Sequence, residues 1–195
     1  MKYDLSEITE IIRNRRTIYP EQFTDRVVQR DMVQHMLTNA TWAPTHGKTQ
    51  PWRFSVYSGD GRAALLATVE QLYLSANGEA AAADPKLKRI KERIQRTSVV
   101  IAMAMTPSTD PPIPEIEEIE AVACAAQNIM LTATAYGLGA FWSSPKFLYL
   151  PHAAQAFGYS PGDKLLGLMY LGYPAGEWPR SHRKPLEYVT RWIDQ

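Results

Sequence analysis

Two clusters of cations and one crowded loop hold the residue types in this chain that could do chemistry. The first cluster is Arg13, Arg15 and Arg16 with Thr17, closing a helix-like segment. Arginine forks match phosphate oxygens in pairs, and a hydroxyl adds one short donor. The second is Arg180, His182, Arg183 and Lys184, near the other end of the chain. Together they could converge on one small anion. Cations also suit the C-terminus of a helix, so from charge alone the plainer reading is two solvated ends. The loop is WAPTHGKTQPWRF, residues 42–54. Thr45, His46, Lys48 and Gln50 stand between prolines, joining a helix to a strand, where binding residues commonly sit. The same residues also describe a satisfied turn. Trp52 and Phe54 read as core.

Other routes to catalysis find little support. The chain has no G-x-x-x-x-G-K-[ST] loop, no G-x-G-x-x-G after a strand and no G-x-S-x-G turn. Gly137-Leu138-Gly139 closes a helix rather than opening one. His35, His46, His152 and His182 lack metal-ligand spacing. Glu117 and Glu118 are adjacent on a helix and point in different directions, so they read as a solvated helix start.

The elements that must position these residues follow from periodicity. Leu5, Ile8, Ile11 and Ile12 predict a helix over 5–15, and Val28 to Ala40 predicts a second. Residues 52–58 alternate as a strand and end in a turn. Residues 62–76 read as helix. Asp84-Pro85 supplies an N-cap and a first-turn proline for a helix over 86–96. Residues 98–105 are apolar on both faces, as a buried strand requires. Four prolines make 106–114 a loop. A long helix over 115–136 has glutamates in its first turns and Gly137 at its end. Its alanine-rich body predicts close packing of another helix, and its length and apolar character suggest a subunit interface. The pattern around Cys124 predicts a buried, inert thiol. Strands at 138–143 and 165–171 flank a short helix at 151–157. Strands interleaved with helices give a layered α/β or α+β domain.

Bulk composition narrows the class. The chain has 195 residues, 45% hydrophobic and 21% charged, which suits one globular domain over residues 1–195. A formal net charge of +1 offers no electrostatic case for a nucleic-acid or membrane partner. One cysteine, no apolar leader and no run long enough to span a bilayer give a cytoplasmic expectation.

These pieces in register resemble the FMN-dependent nitroreductase family, in a compact, minimal branch. R-R-T at 15–17 resembles its R-R-S/T helix end. APTHGKTQPWRF at 43–54 resembles its A-P-S-x-x-N-x-Q-P-W-R-F signature. The alanine-rich helix with G-L-G, and R-K-P-L-E at 183–187, complete the match. The resemblance implies an α+β fold with a mixed, mainly antiparallel sheet flanked by helices. The long helix would build a homodimer with FMN at the interface, each FMN touching both subunits. Arg15, Thr17 and Arg183 would hold its phosphate and ribityl chain, with Arg16 and Lys184 alongside. Trp42, His46, Lys48 and Gln50 belong to the loop that would border the flavin, and Trp142, Ser143 and Ser144 to a strand end near its ring. Residues 132–137 match a segment proposed for nicotinamide contact. The implied reaction is ping-pong transfer from NADH or NADPH through FMN to a nitroaromatic, quinone or similar small electrophile. No catalytic side chain is then required, because the flavin carries the chemistry. On this reading the 42–54 loop becomes the third wall of the site made by the two basic clusters. Two positions depart from the family. Lys48 stands where an asparagine is common. Tyr19 stands where many members keep a cation able to stabilise charge on reduced flavin, a part that Lys48 or Arg16 could take over. A different flavin dehydrogenase on the same scaffold, or a non-catalytic flavin-binding or storage protein, fits the same residues.

Overall fold

The chain folds into three layers, helices on both faces of one sheet, in a computed structural model that describes residues 4–194. In chain order the elements are α1 (Leu5–Asn14), α2 (Arg30–Ala40), β1 (Trp52–Ser58), α3 (Gly61–Asn77), α4 (Pro85–Arg96), β2 (Val99–Met105), α5 (Glu115–Ala135), β3 (Gly139–Ser143), α6 (Ala153–Ala156) and β4 (Lys164–Gly172). The strand order is β1-β2-β4-β3. All three strand pairings are antiparallel, so the mixed character expected of the sheet is confined to one isolated parallel bridge, Thr17 to Ala140.

β2 sits centrally and every one of its residues is buried. Its odd-numbered side chains, Val99 to Met105, join α2 and α5 in one core that includes Ala121, Ala125, Ile129 and Trp52. Its even-numbered ones, Val100 to Ala104, join α3, α4 and α6 through Leu65, Leu72, Leu87 and Ile94. The period of two in a strand requires this split.

Between Met103 and Ala104 the register of β2 against β4 slips, leaving Leu166 without an opposite residue. The freed Leu166 carbonyl accepts a hydrogen bond from Trp142 Nε1 at 3.1 Å. Gly167 makes room for that indole: an added Cβ would lie 2.2 Å from Trp142 Nε1. A bulge of this kind re-aims a side chain at the cost of one ladder pair.

Helix ends obey local chemistry. Asp84 caps α4, accepting from Lys86 N at 2.8 Å and from the Tyr73 hydroxyl at 2.5 Å. Those two bonds hold its carboxyl below the ordinary value, the Tyr73 bond contributing most. A depressed carboxyl stabilises the fold above its unfolded pKa and loses that contribution as pH falls through the lower folded value. Asp84→Ala is therefore expected to lower the melting temperature at neutral pH and to make little difference in strong acid, as thermal scans across pH will read.

Two surfaces contradict simple amphipathic expectation. Cys124 is exposed rather than buried. The sheet and α2 cover one face of α5, through Ala121, Val122, Ala125, Ala126, Ile129 and Ala133, and Cys124 lies off it. An alanine-rich helix hides this distinction, because its two faces look alike in sequence. α1 buries none of its residues although Leu5, Ile8 and Ile12 form a stripe along it.

Candidate functional site

The chain's two ends meet at the β3 edge of the sheet. After α1, residues 15–18 run beside β3, with Ile18 N donating to Ala140 O at 3.1 Å. Gly139 permits that close approach, since a Cβ there would come within 2.7 Å of Ile18 Cβ. The C-terminal tail returns to the same corner. Trp178 Nε1 donates to Asn14 O at 2.5 Å, and Arg16 Nε donates to Pro179 O at 2.9 Å. Arg16 Nη1 also reaches the carbonyls of Arg13 and Arg15. Arg16 is thus a strap, its fork spent on backbone oxygens of α1 and the tail.

The strap brings the tail carrying Arg183 back to the segment of Arg15. Burial first, then the charges of Arg183 and Arg16, hold the Arg15 guanidinium below its ordinary pKa. It stays protonated, because no protein environment discharges arginine. No carboxylate among the described residues forms an ion pair with Arg15, Arg183 or Lys184. Arg183 Nη1 is held by Ser181 Oγ at 2.6 Å and His182 O at 2.8 Å. Thr17 is exposed beside them. Like charges packed together without an acid are costly unless an anion joins them.

Farther along the same edge lie Trp142, Ser143 and Ser144. Trp142 is half-buried and its one donor is committed to Leu166, so it serves the corner by packing. Ser143 is half-buried and Ser144 exposed. On the other face of β3, Tyr19 packs on Phe141 with ring centroids 4.9 Å apart. Arg93 lies over both rings and is paired with Glu21 at 2.7 Å.

The loop after α2 is held in an unusual backbone. Gly47, Lys48 and Gln50 have φ of 58°, 56° and 49°. Left-handed conformations cost a side-chain-bearing residue about 1–3 kcal/mol and concentrate at functional positions. The neighbourhood enforces them. His46 Nδ1 bonds Glu117 Oε2 at 2.5 Å, Thr45 Oγ1 bonds Thr49 Oγ1 at 3.1 Å, and Gly47 abuts Ile113 and Pro111. Ile113 and Pro111 of the proline loop 106–114 thus lie beside the 45–50 loop. Trp42 ends α2 with its side chain 83% exposed.

One chain does not bring this loop to the cationic corner. Thr17 bridges Ala140, which faces Leu171, itself opposite Val99. The loop leads into Trp52, opposite Met105 at the far end of β2. The two regions lie at diagonal corners of the sheet, about 19 Å apart across the strands and about 20 Å along them. Within one chain this register keeps the third segment of the expected site away from the two basic clusters. What local sequence could not reveal are the contacts of Trp178 with Asn14, Pro179 with Arg16 and Glu117 with His46, each between distant residues.

Fold and corner together define the class: a layered α+β protein whose two basic segments meet at a sheet edge. The profile of the Nitroreductase family matches residues 12–173, and the chain belongs to that family of oxidoreductases. It is 28% identical over 165 residues to YdjA of Escherichia coli (strain K12), provisionally named an NAD(P)H nitroreductase, covering 85% of this chain and 87% of that one. YfhC of Bacillus subtilis (strain 168), named in the same way, is 29% identical over 170 residues, with coverage of 87% and 85%. The crystal structure of a nitroreductase-like family protein from Bacillus cereus superposes with a TM-score of 0.85 at 28% identity, over 100% of this chain and 99% of that one. A Desulfovibrio desulfuricans protein crystallised with FMN has the same fold, with a TM-score of 0.73 at 22% identity, over 99% of this chain and 100% of that one. The family and α+β expectations from sequence are borne out.

Proposed function

We propose that the chain is one FMN-binding domain over residues 1–195 that acts as a homodimer, passing electrons from NADH or NADPH to a small electrophile such as a nitroaromatic or quinone. The observation that carries this reading is the meeting of the two basic segments through Arg16–Pro179 and Trp178–Asn14, where the charge of Arg183 acts on Arg15 and no carboxylate among the described residues pairs with either. A terminal phosphate fits that charge, and the arginine forks fit its oxygens. Family membership and an FMN-bound neighbour of the same fold support flavin as the rest of the ligand. When bound, FMN supplies the electron-transfer chemistry. Arg15 and Arg183 hold the phosphate, Thr17 offers a hydroxyl, Arg16 fixes the tail, and Ser143 and Ser144 offer polar groups along the edge.

The diagonal placement of the 42–50 loop supports the dimer, because a second copy can bring its own loop to the first copy's corner. Uncovered apolar surface supports it too. Ile116 on α5, Leu5 on α1 and Trp42 are exposed, as are Leu186, Tyr188, Val189, Trp192 and Ile193 in the tail. β1 is an edge strand with no partner on its outer side among the described residues. Beside it runs a groove of about 700 Å³ lined by Val28, Val33, Leu37, Val56, Arg30 and Arg62. An unpaired edge next to an apolar groove accepts an added extended segment. The tail of a second copy, apolar and carrying Glu187 and Asp194, complements it. Deleting residues 186–194 is expected to turn a dimer of two 22.0 kDa chains into monomer and to lower FMN retention together. Sedimentation and flavin absorbance read both.

The deciding experiment is spectroscopic. Purified protein should be yellow with about one FMN per chain, and NADH or NADPH added without oxygen should bleach the flavin band. Colourless protein that takes up no added FMN overturns the proposal. Bound flavin that neither donor bleaches leaves a binding protein rather than an enzyme.

A further inference from the structure

Glu117 and Glu118 stand side by side in the first turn of α5, a pair read from sequence as a solvated helix start. Glu118 is instead 1% exposed. Its Oε2 accepts a hydrogen bond from Ser108 N at 2.9 Å, and Ser108 Oγ donates to Pro111 O at 2.8 Å. The carboxylate thus ties the proline loop to α5. Glu117 points elsewhere, to His46 Nδ1 at 2.5 Å, and ties the 45–50 loop to the same turn. Adjacent residues on a helix diverge by about 100°, so one turn can serve two loops.

The two loops also touch each other. A Cβ built on Gly47 would lie 3.4 Å from Ile113 Cδ1 and 3.5 Å from Pro111 Cγ. Thr106 N donates to Pro51 O at 2.8 Å, where the 45–50 loop enters β1. Lys48 and Gln50 hold left-handed φ values, which persist in side-chain-bearing residues only where the surroundings over-determine them. Backbone donors inside the loop make long bonds, Thr49 N to His46 O and Gln50 N to Thr45 Oγ1, both at 3.3 Å. The shorter ties, Glu117 to His46 and Glu118 to Ser108, come from α5.

We propose that the first turn of α5 is a two-armed brace, with Glu118 as its buried arm, that makes the 45–50 and 106–114 loops open and close as one unit. Glu117 and Glu118 hold the loops to one helix, while Gly47, Pro111 and Ile113 hold them to each other. Glu118 is a positioning residue for the 45–50 loop, acting through Ser108 and the proline loop. The coupling lies within one chain and rests neither on flavin nor on a second copy.

Amide hydrogen exchange in the full chain, followed residue by residue by NMR, tests the coupling. Thr106 and Ser108 report on one loop, Thr49 and Gln50 on the other, since all four N–H groups are bonded. Ile101 and Met103, central in β2, report on global opening. Glu118→Ala should speed exchange at all four loop amides by at least about tenfold, as loss of a bond to a charged acceptor implies, and leave Ile101 and Met103 unchanged. Glu118→Gln should restore slow exchange. Its amide oxygen still accepts from Ser108 N, and its nitrogen replaces Oε1, which has no hydrogen-bond partner among the described residues. Ile113→Ala, at a half-buried position, breaks the bridge from the other side and decides the matter if Glu118→Ala does not fold. It should speed Thr49 and Gln50 while Ser108 stays slow. Glu118→Ala that quickens Thr106 and Ser108 but not Thr49 and Gln50 overturns the coupling, as does Ile113→Ala that leaves Thr49 and Gln50 unchanged. Equal quickening at Ile101 and Met103 also overturns it, reducing Glu118 to general support of the fold.

Discussion

Arg15→Ala combined with Arg183→Ala is expected to strip the protein of FMN while leaving the fold intact. Each charge-assisted contact to a phosphate contributes about 1.5–3 kcal/mol, so losing two weakens binding by roughly 10²- to 10⁴-fold. The structure separates this loss from unfolding. In the free chain burial, then the charges of Arg183 and Arg16, hold Arg15 below its ordinary pKa, so removing two of the three charges relieves repulsion. The flavin-free variant should therefore melt at or above the temperature of the flavin-free wild type. Added FMN should raise the melting temperature of wild type far more than that of the variant, since a ligand stabilises the state it binds. Arg180→Ala is the control: Arg180 is exposed and is not among the charges acting on Arg15. FMN loss from Arg180→Ala equal to that from the double variant would mean that the tail acts as a diffuse basic patch rather than through Arg183.

Gly167→Ala is expected to be the most destabilising small substitution in the sheet, at about 3–5 kcal/mol from overpacking, a broken buried hydrogen bond and backbone strain together. The added methyl would sit 2.2 Å from Trp142 Nε1, 2.7 Å from its Cδ1 and 2.8 Å from Ser143 O, at a φ of 148°. Backbone on one side and a packed indole on the other leave it nowhere to go. The indole must leave, abandoning the Leu166 carbonyl that the bulge exposes. A domain with about 5–15 kcal/mol in total does not absorb that lightly. Denaturant titration gives the loss directly, with Gly176→Ala as a neutral comparison because nothing lies within 4 Å of its added Cβ. Ser143 and Ser144 follow Trp142 in the chain, so the variant should also hold FMN less well.

Much of this molecule was legible in local pattern. Alternation around Trp52 and Phe54 located β1, and the doubly apolar run at 99–105 located a strand buried on both faces. Asp84-Pro85 announced the start of α4, and Gly137, with φ of 69°, the end of α5. Cys124 was misjudged because an alanine-rich helix buries one face and leaves another open, and small residues do not say which is which. In sequence Arg15 and Arg16 both read as cofactor contacts, Arg15 on the phosphate and Arg16 alongside. Only the tail's path shows that one is spent on backbone carbonyls and the other is left beside Arg183.

The sequence by itself determined the family, the elements and the residue types available for an anionic cofactor, since these follow from short-range periodicity and from motifs a few residues long. Only the tertiary structure decided which of them meet. Strand order and register send the R-R-T segment to one corner of the sheet and the A-P-T-H loop to the diagonal one. Contacts such as Trp178 with Asn14 and Arg16 with Pro179 join residues more than 160 positions apart. Register is set by how two whole core faces pack, and no local stretch of sequence contains that information.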